Sequence, residues 1–381
     1  MLLVNLFAYN TGSRNKEENN LTTMKIAVCL PVTSQSLTHG ARMVCQEFLN
    51  TLAEAEREAE IELIAPEGFA SVPESFSRME LPGSESEWSA LRLEQFELPR
   101  LIRASGADIL LMLYQAAPLK VSVPVVLFEA VGQPEPMRGF GGRLLRATRA
   151  AGVQGVRQHV IYSDQDPTAS SRSEMRPINP WVHPTFRALS NTEDRQIISK
   201  YGLPYSYVIA HGISPADVPA ILASWTWVDG SVGDTVPLVV IASAGSESQT
   251  WERGIKRMNL GHSVSLLTGV KFEELAALYR RAEVMLHGGR VVEHQLLRWA
   301  MACGIPVTGF DVPDAVNTLG SAGYLVRPGD SRALGAACLT VIVEPEVKDR
   351  LHKEGLLRTS AFHAKTNPAE IMSDLIDDLV G

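Results

Sequence analysis

The sequence predicts an α/β protein built from two Rossmann-like domains whose parallel sheets face an interdomain cleft. Short apolar runs alternate with segments of helical periodicity, the mark of parallel βαβ units. The series runs twice, restarting after Pro177, and 381 residues suffice for about two domains at ~100–200 residues each.

In the first series, strands are expected at 25–31, 60–65, 108–113, 123–128 and 158–163, with helices at 40–56 and 88–105. The Pro-, Ser- and Glu-rich stretch from Pro66 to Glu87 reads as a loop, as does Asp164 to Arg176. The segment INPWVHPTFRALSN reads as a connector. A helix near 191–201 leads into strands at 206–211, 236–242, 263–267, 283–287 and 305–309. Helices follow near 272–282, 291–303, 331–343 and 345–357. Domains are expected at 24–187, joined by the C-terminal helix in 360–381, and at 188–359. Residues 1–23 read as a disordered leader without the basic region or cleavage site of a signal peptide.

Composition narrows the function classes. The formal net charge of −8 argues against a generic nucleic-acid surface. Cys29, Cys45, Cys303 and Cys338 are widely spaced in apolar runs, which points to buried thiols rather than a metal site. No apolar run reaches the ~18 residues of a membrane-spanning helix, so a cytoplasmic location is expected. Residues 137–159 carry Arg143, Arg146 and Arg149 at i, i+3 spacing, interleaved with Phe140, Leu144 and Leu145. Such a face either docks on an anionic lipid surface at the inner membrane face or is simply solvated.

Five ordered blocks carry a family resemblance: YGLPYSYVIAHG at 201–212, VPLVVIASAG at 236–245, VSLLTGVKFEELAALYRRAEVMLH at 264–287, WAMACGIPVTGFDVPDA at 299–315 and GYLVRPGDSRALGAA at 323–337. Together they resemble the donor domain of family 4 glycosyltransferases, of GT-B fold. MKIAVCLP, HGARMVCQEFLNTLA and NPWVHPTF resemble the acceptor side more loosely. The resemblance implies transfer of a glycosyl group, with retention, from a nucleotide sugar to an acceptor. The donor, UDP- or GDP-linked, is then a substrate, and no cofactor is implied.

The resemblance also places candidate residues. Gly212, Gly269 and Gly289 would give close backbone approach to the donor, and Gly40 would line the acceptor loop. Arg290, Val291, Val292 and His294 surround the N-terminus of the helix that would face the diphosphate, where unpaired N–H groups and the dipole favour anions. Arg253 and Lys256 are further candidate cations, because the Arg and Lys usual after the first donor-side glycine are absent from ISPADVPA. The family's two glutamates, eight positions apart, fall on Val291 and Trp299; a shortened loop would put Glu293 at the first position. Glu293 is then either a sugar-facing carboxylate or a first-turn glutamate favoured by the dipole. His39 in the first loop and Glu129 after the 123–128 strand are catalytic-side candidates; His39 is equally readable as a surface histidine, and Glu129 as a strand-end glutamate at a sheet edge. Loss of both glutamates also fits a catalytically inactive pseudo-glycosyltransferase that partners an active enzyme.

Overall fold

The computed structural model describes residues 24–30, 38–55, 59–66, 69, 71–82, 84, 86–113, 117–128, 139–162, 175–178, 180–289, 293–363, 370 and 373–374. The first half contains β1 (Met24–Cys29), α1 (His39–Glu54), β2 (Ala59–Pro66), β3 (Ser77–Leu81), α2 (Glu87–Arg92), a π-helical turn (Leu93–Glu97), α3 (Leu98–Ser105), β4 (Ile109–Met112), β5 (Val125–Phe128), α4 (Gly139–Val153), β6 (Gln158–Tyr162) and β7 (Met175–Ile178). The second contains α5 (Asp194–Lys200), β8 (Tyr207–His211), α6 (Val218–Val232), β9 (Leu238–Ala242), α7 (Ser246–Arg257), β10 (Val264–Thr268), α8 (Phe272–Arg281), β11 (Ala282–His287), α9 (His294–Ala302), β12 (Val307–Phe310), α10 (Pro313–Leu319), β13 (Gly323–Val326), α11 (Ser331–Val343) and α12 (Pro345–His363).

The strands form two parallel sheets. One has the order β3-β2-β1-β4-β5-β6-β7 and the other β10-β9-β8-β11-β12-β13. Both therefore share the doubly wound order, reversing between β1 and β4 and between β8 and β11. Central strands such as β8 (YVIAH) are buried at every residue, as strands covered on both faces require. Register is regular: Ile26 lies opposite Ile61 on one side and Ile109 on the other.

Two edge strands lie in stretches expected to be loops. β3 (SRMEL) falls within Pro66–Glu87, and β7 (MRPI) overlaps the end of Asp164–Arg176. An edge strand is open on one side and needs little apolar sequence. It also tolerates proline, here Pro177 opposite Ile161. The structure adds α6, α7 and α10, where no helix was expected. The proposed closing helix at 368–380 lies outside the described residues except for Glu370, Ser373 and Asp374, which are helical.

One apolar core runs from the first sheet through α1 into α8 and α9, taking in Val28, Phe48, Phe128, Trp181, Phe186, Phe272, Tyr279, Leu296 and Trp299. A second fills the other face of the second sheet around Trp225, Trp251 and Leu286. Among the described residues, no helix is long and apolar enough to cross a membrane, and no group of His, Cys, Asp or Glu has the geometry of a metal site.

Candidate functional site

In doubly wound sheets, ligands bind beyond the carboxyl ends of the strands where the order reverses. The chain enters α1 at His39 beyond the β1 end. It leaves β8 at His211 through Gly212, whose φ of 69° lies in the left-handed region that suits glycine. It leaves β11 at His287 through Gly288 and Gly289 toward α9. These points meet directly. A Cβ added to Gly40 would lie 2.5 Å from Leu296 Cδ1 and 2.8 Å from Gly212 Cα, so only glycine permits this approach.

Hydrogen bonds staple the contact. His39 Nε2 lies 2.8 Å from the Val270 carbonyl, and His39 Nδ1 lies 2.9 Å from His211 Nε2. His211 Nδ1 lies 2.9 Å from the Tyr279 hydroxyl. The carbonyl can only accept, so His39 Nε2–H donates to it. Burial pushes His39 down to about 4 and His211 well below its ordinary value, so both are neutral near pH 7. His39 Nδ1 must then accept from His211 Nε2–H, and His211 Nδ1 from Tyr279 O–H. The chain of donors is fixed throughout.

Carboxylates occupy the helix starts. Glu247 of α7 accepts from the His39 backbone N–H (2.9 Å) and from that of Ser243 (2.8 Å), so it caps α1 from the other half. Glu293 is buried at the N-cap position of α9. Asp217 is buried at the N-cap position of α6 and accepts from the Ser214 hydroxyl at 2.9 Å. Each sits where a helix dipole favours negative charge. Between α6 and α9, His287 is fully buried, and among the described residues neither ring nitrogen has a hydrogen-bond partner. Burial pushes it down to about 4, with Asp217 and His294 close by.

Deeper along α1, Glu47 Oε1 accepts from the His183 N–H at 2.8 Å and from the Trp299 indole N–H at 3.0 Å. Burial raises Glu47 to about 7. Trp299 itself is fully buried and stacks on Phe186 at 4.4 Å with 3° between the rings. Gln295 donates to the Trp181 carbonyl at 2.7 Å.

The sequence candidates divide accordingly. His39, Gly40, Gly212 and the segment after Gly269 come together, and Glu293 lies close enough to act on Cys45 of α1. Gly269 has a φ of 72° and open space where a Cβ would be. Gly289 is buried beside α9. His294 turns toward α10, its Nδ1 2.5 Å from Thr318 Oγ1. Arg253 and Lys256 do not join the site. They are exposed on α7, Arg253 seven residues past its start, about 10 Å along the axis. Arg149 leaves the proposed arginine face: it is buried and its guanidinium pairs with both Glu94 oxygens, Nε at 3.1 Å to each. Glu129, Arg290, Val291 and Val292 lie outside the described residues.

Sequence reasoning missed Glu47, Glu247, Tyr279 and His287. No sequence signal marked Glu47: it lies on the polar half of α1 (HGARMVCQEFLNTLAE), the half that a lone amphipathic helix turns to solvent. Two cavities flank the connector, one lined by His183, Asp194 and Arg280, the other by Arg195, Tyr205 and Arg281; neither reaches His39, Gly212 or Glu293.

Solved structures share this arrangement of two facing sheets over nearly the whole chain. Sucrose-phosphate synthase from Thermosynechococcus elongatus superposes with a TM-score of 0.68 at 15% identity, covering 94% of this chain and 99% of its own.

The fold is GT-B.

WaaG, a glycosyltransferase involved in lipopolysaccharide biosynthesis, gives a TM-score of 0.69 at 13% identity, with 93% and 100% covered. Anabaena HepE in complex with UDP and glucose gives 0.65 at 14%, with 94% and 100% covered. Residues 230–344 match the family described as glycosyl transferases group 1, within the second GT-B half. No curated protein matches the chain by sequence.

Proposed function

We propose that this protein transfers a glycosyl group, with retention, from a UDP- or GDP-linked sugar to an acceptor bound on the first sheet. The meeting of both sheets' reversal points, with the Gly212 turn and the α9 N-terminus at its centre, carries this reading. The group 1 match over 230–344 and a GT-B neighbour in complex with UDP and glucose support it. On this reading the donor lies against Gly212, Gly269, Gly289 and residues 290–292. Arg290 and the α9 N-terminus hold the diphosphate, Glu293 faces the sugar, and Gly40 borders the acceptor. His39 reaches substrate only when the halves separate, because both its nitrogens are engaged in the closed form. Domains at 24–187 plus 360–381 and at 188–359 are the bodies that would move. A peripheral position at the inner membrane face belongs to the same reading, since Arg143 and Arg146 are exposed on α4.

The second reading, a pseudo-glycosyltransferase serving an active partner, is favoured by the Trp299–Glu47 hydrogen bond and by the protein carboxylates at the starts of α1, α6 and α9. A nucleotide diphosphate brings negative charge to positions already acidic, and departure of the diphosphate needs cationic stabilisation.

Calorimetric titration with UDP, GDP and ADP, then with their sugar conjugates, tests the two. Micromolar binding of one nucleotide, lost in the double variant Arg290→Ala, Glu293→Gln, supports the transferase. Absence of heat with all of them rejects it in favour of the partner role.

A further inference from the structure

A cavity of about 660 Å³ lies away from the cleft, bounded by the end of the connector, α5, the loop after α5 and the end of α8. Its volume is within the ~300–1,000 Å³ of small-molecule sites. It sits at the amino ends of two central strands of the second sheet. Tyr205 comes just before β8, and Arg280 and Arg281 close α8 just before β11. Because β8 is five residues long, roughly 15–20 Å separates this cavity from the Gly212 turn at the other end of the strand.

Three arginines line the cavity, Arg195, Arg280 and Arg281, against one carboxylate, Asp194. Arg280 and Asp194 balance each other: Nε and Nη2 donate to the two carboxylate oxygens at 2.9 and 2.6 Å. Arg280 Nη1 donates to the Thr185 and Arg187 carbonyls, which ties the connector to α8. Carboxylates just outside the cavity are also taken. Glu283 pairs with Lys348 and Ser206, and Glu274 with Lys200 and Tyr201. Glu193 lines the neighbouring cavity, together with Arg187. Among the described residues, neither Arg195 nor Arg281 has a side-chain hydrogen bond or an ion pair. Two positive charges are therefore left over. Arg281 lies over the Tyr205 ring, 3.8 Å from its centre. A guanidinium on an aromatic face is held in place and keeps its N–H donors for an anion. Tyr205 is 76% exposed, so its other face is open, and half-buried Ile198 and Leu203 add an apolar wall. Two excess charges match a dianion. A phosphate monoester carries about −1.5 to −2 near pH 7, whereas a carboxylate carries one charge.

We infer that this cavity binds a small soluble phosphate monoester bearing a flat ring, with Arg195 and Arg281 on the phosphoryl oxygens and the open face of Tyr205 under the ring. The site is separate from the cleft and needs no donor binding, so its test and nucleotide calorimetry fail independently.

The full-length protein is titrated with phenyl phosphate, inorganic phosphate and benzoate, followed by ligand-observed NMR. Phenyl phosphate should bind about threefold to tenfold more tightly than inorganic phosphate, through the ring, and more than about tenfold more tightly than benzoate, through the second charge. Arg195→Gln and Arg281→Gln should each weaken phenyl phosphate about fivefold. Tyr205→Ala should remove most of the advantage of phenyl phosphate over inorganic phosphate, and Tyr205→Phe should keep it. The double variant Arg290→Ala, Glu293→Gln should bind phenyl phosphate as the unaltered protein does. Thermal melts confirm folding; if Arg281→Gln melts early, Arg195→Gln, at an exposed position, decides alone. No binding of phenyl phosphate, or unchanged binding in the folded arginine variants, would overturn the inference. Benzoate binding as tightly as phenyl phosphate would assign the cavity to carboxylates, and loss of binding in the Arg290, Glu293 variant would move the ligand to the cleft; either result overturns it too.

Discussion

Helices α1 and α4 start at the same end of the same sheet, yet they meet opposite surroundings. Twelve residues of α1 are buried, including His39, Gln46, Glu47 and Thr51, because the second half covers the face that the first sheet leaves open. In α4 only Gly142, Leu145, Arg149 and Gly152 are buried, and the outer face stays open. Of the polar residues under α1, His39 and Glu47 are held by partners from the other half, namely Val270, His211 and Trp299. On α4 the buried polar residue is held from within its own half, by Glu94. Side-chain hydrogen bonds between elements far apart in the chain thus mark where the halves join, and exposed aromatics mark where they do not.

The largest effect should come from breaking a buried pair. Arg149→Ala leaves Glu94 charged and buried, and should cost about 3–5 kcal/mol in urea unfolding, whereas the double variant Glu94→Leu, Arg149→Met should come close to wild type. Trp299→Ala removes the Phe186 stack and the donor to Glu47, and should cost about 3–5 kcal/mol. If it costs under 1 kcal/mol, the joined core around α1 and α9 is wrong. Gly40→Val drives a side chain into Leu296 and the Gly212 backbone. It should cost about 1–3 kcal/mol and enlarge the radius of gyration in small-angle scattering; an unchanged radius would mean the contact is soft.

The α1 interface should also respond to pH. Burial raises Glu47 and Glu247 to about 7 from an ordinary 4.5, so their contribution is complete below pH 4.5 and is lost as pH rises through 7. Burial depresses His39 and His287 to about 4 from 6.5, so theirs is present above 6.5 and is lost as pH falls through 4. Glu47→Gln keeps an acceptor for Trp299 without the buried charge. It should raise stability at pH 8 by up to about 3 kcal/mol and be neutral at pH 4.5. A lower melting temperature at pH 8 would contradict this. The smallest effect is expected on α4, where Arg143→Gln should change stability by less than about 0.5 kcal/mol.

Much of the fold was legible. Fully buried strands such as β8 and β9 announce themselves by unbroken apolar runs, and α8 and α11 by their periodicity. The edge strands β3 and β7 were not legible, because one open side removes the apolar demand that makes a strand visible. Within the site, the resemblance pointed to the glycines at 40, 212 and 269, and the structure sets Gly40 against Gly212 and gives Gly212 and Gly269 a positive φ. Arg253 and Lys256 were misplaced because, without α7 in view, distance along the chain stood in for distance in space. Glu47 and Trp299 escaped as a pair because their bond spans 252 positions, a separation no local pattern encodes.

Trp299 also gives the protein an optical gauge. Its indole is dry, stacked on Phe186 and hydrogen-bonded to Glu47 across the joint, whereas Trp88 and Trp227 are already half in water. Separation of the halves wets this ring, and Trp181 in the same joined core, shifting their emission to longer wavelength. With Trp88 and Trp227 changed to Phe, ordinary fluorescence would follow cleft opening in real time, with no label attached.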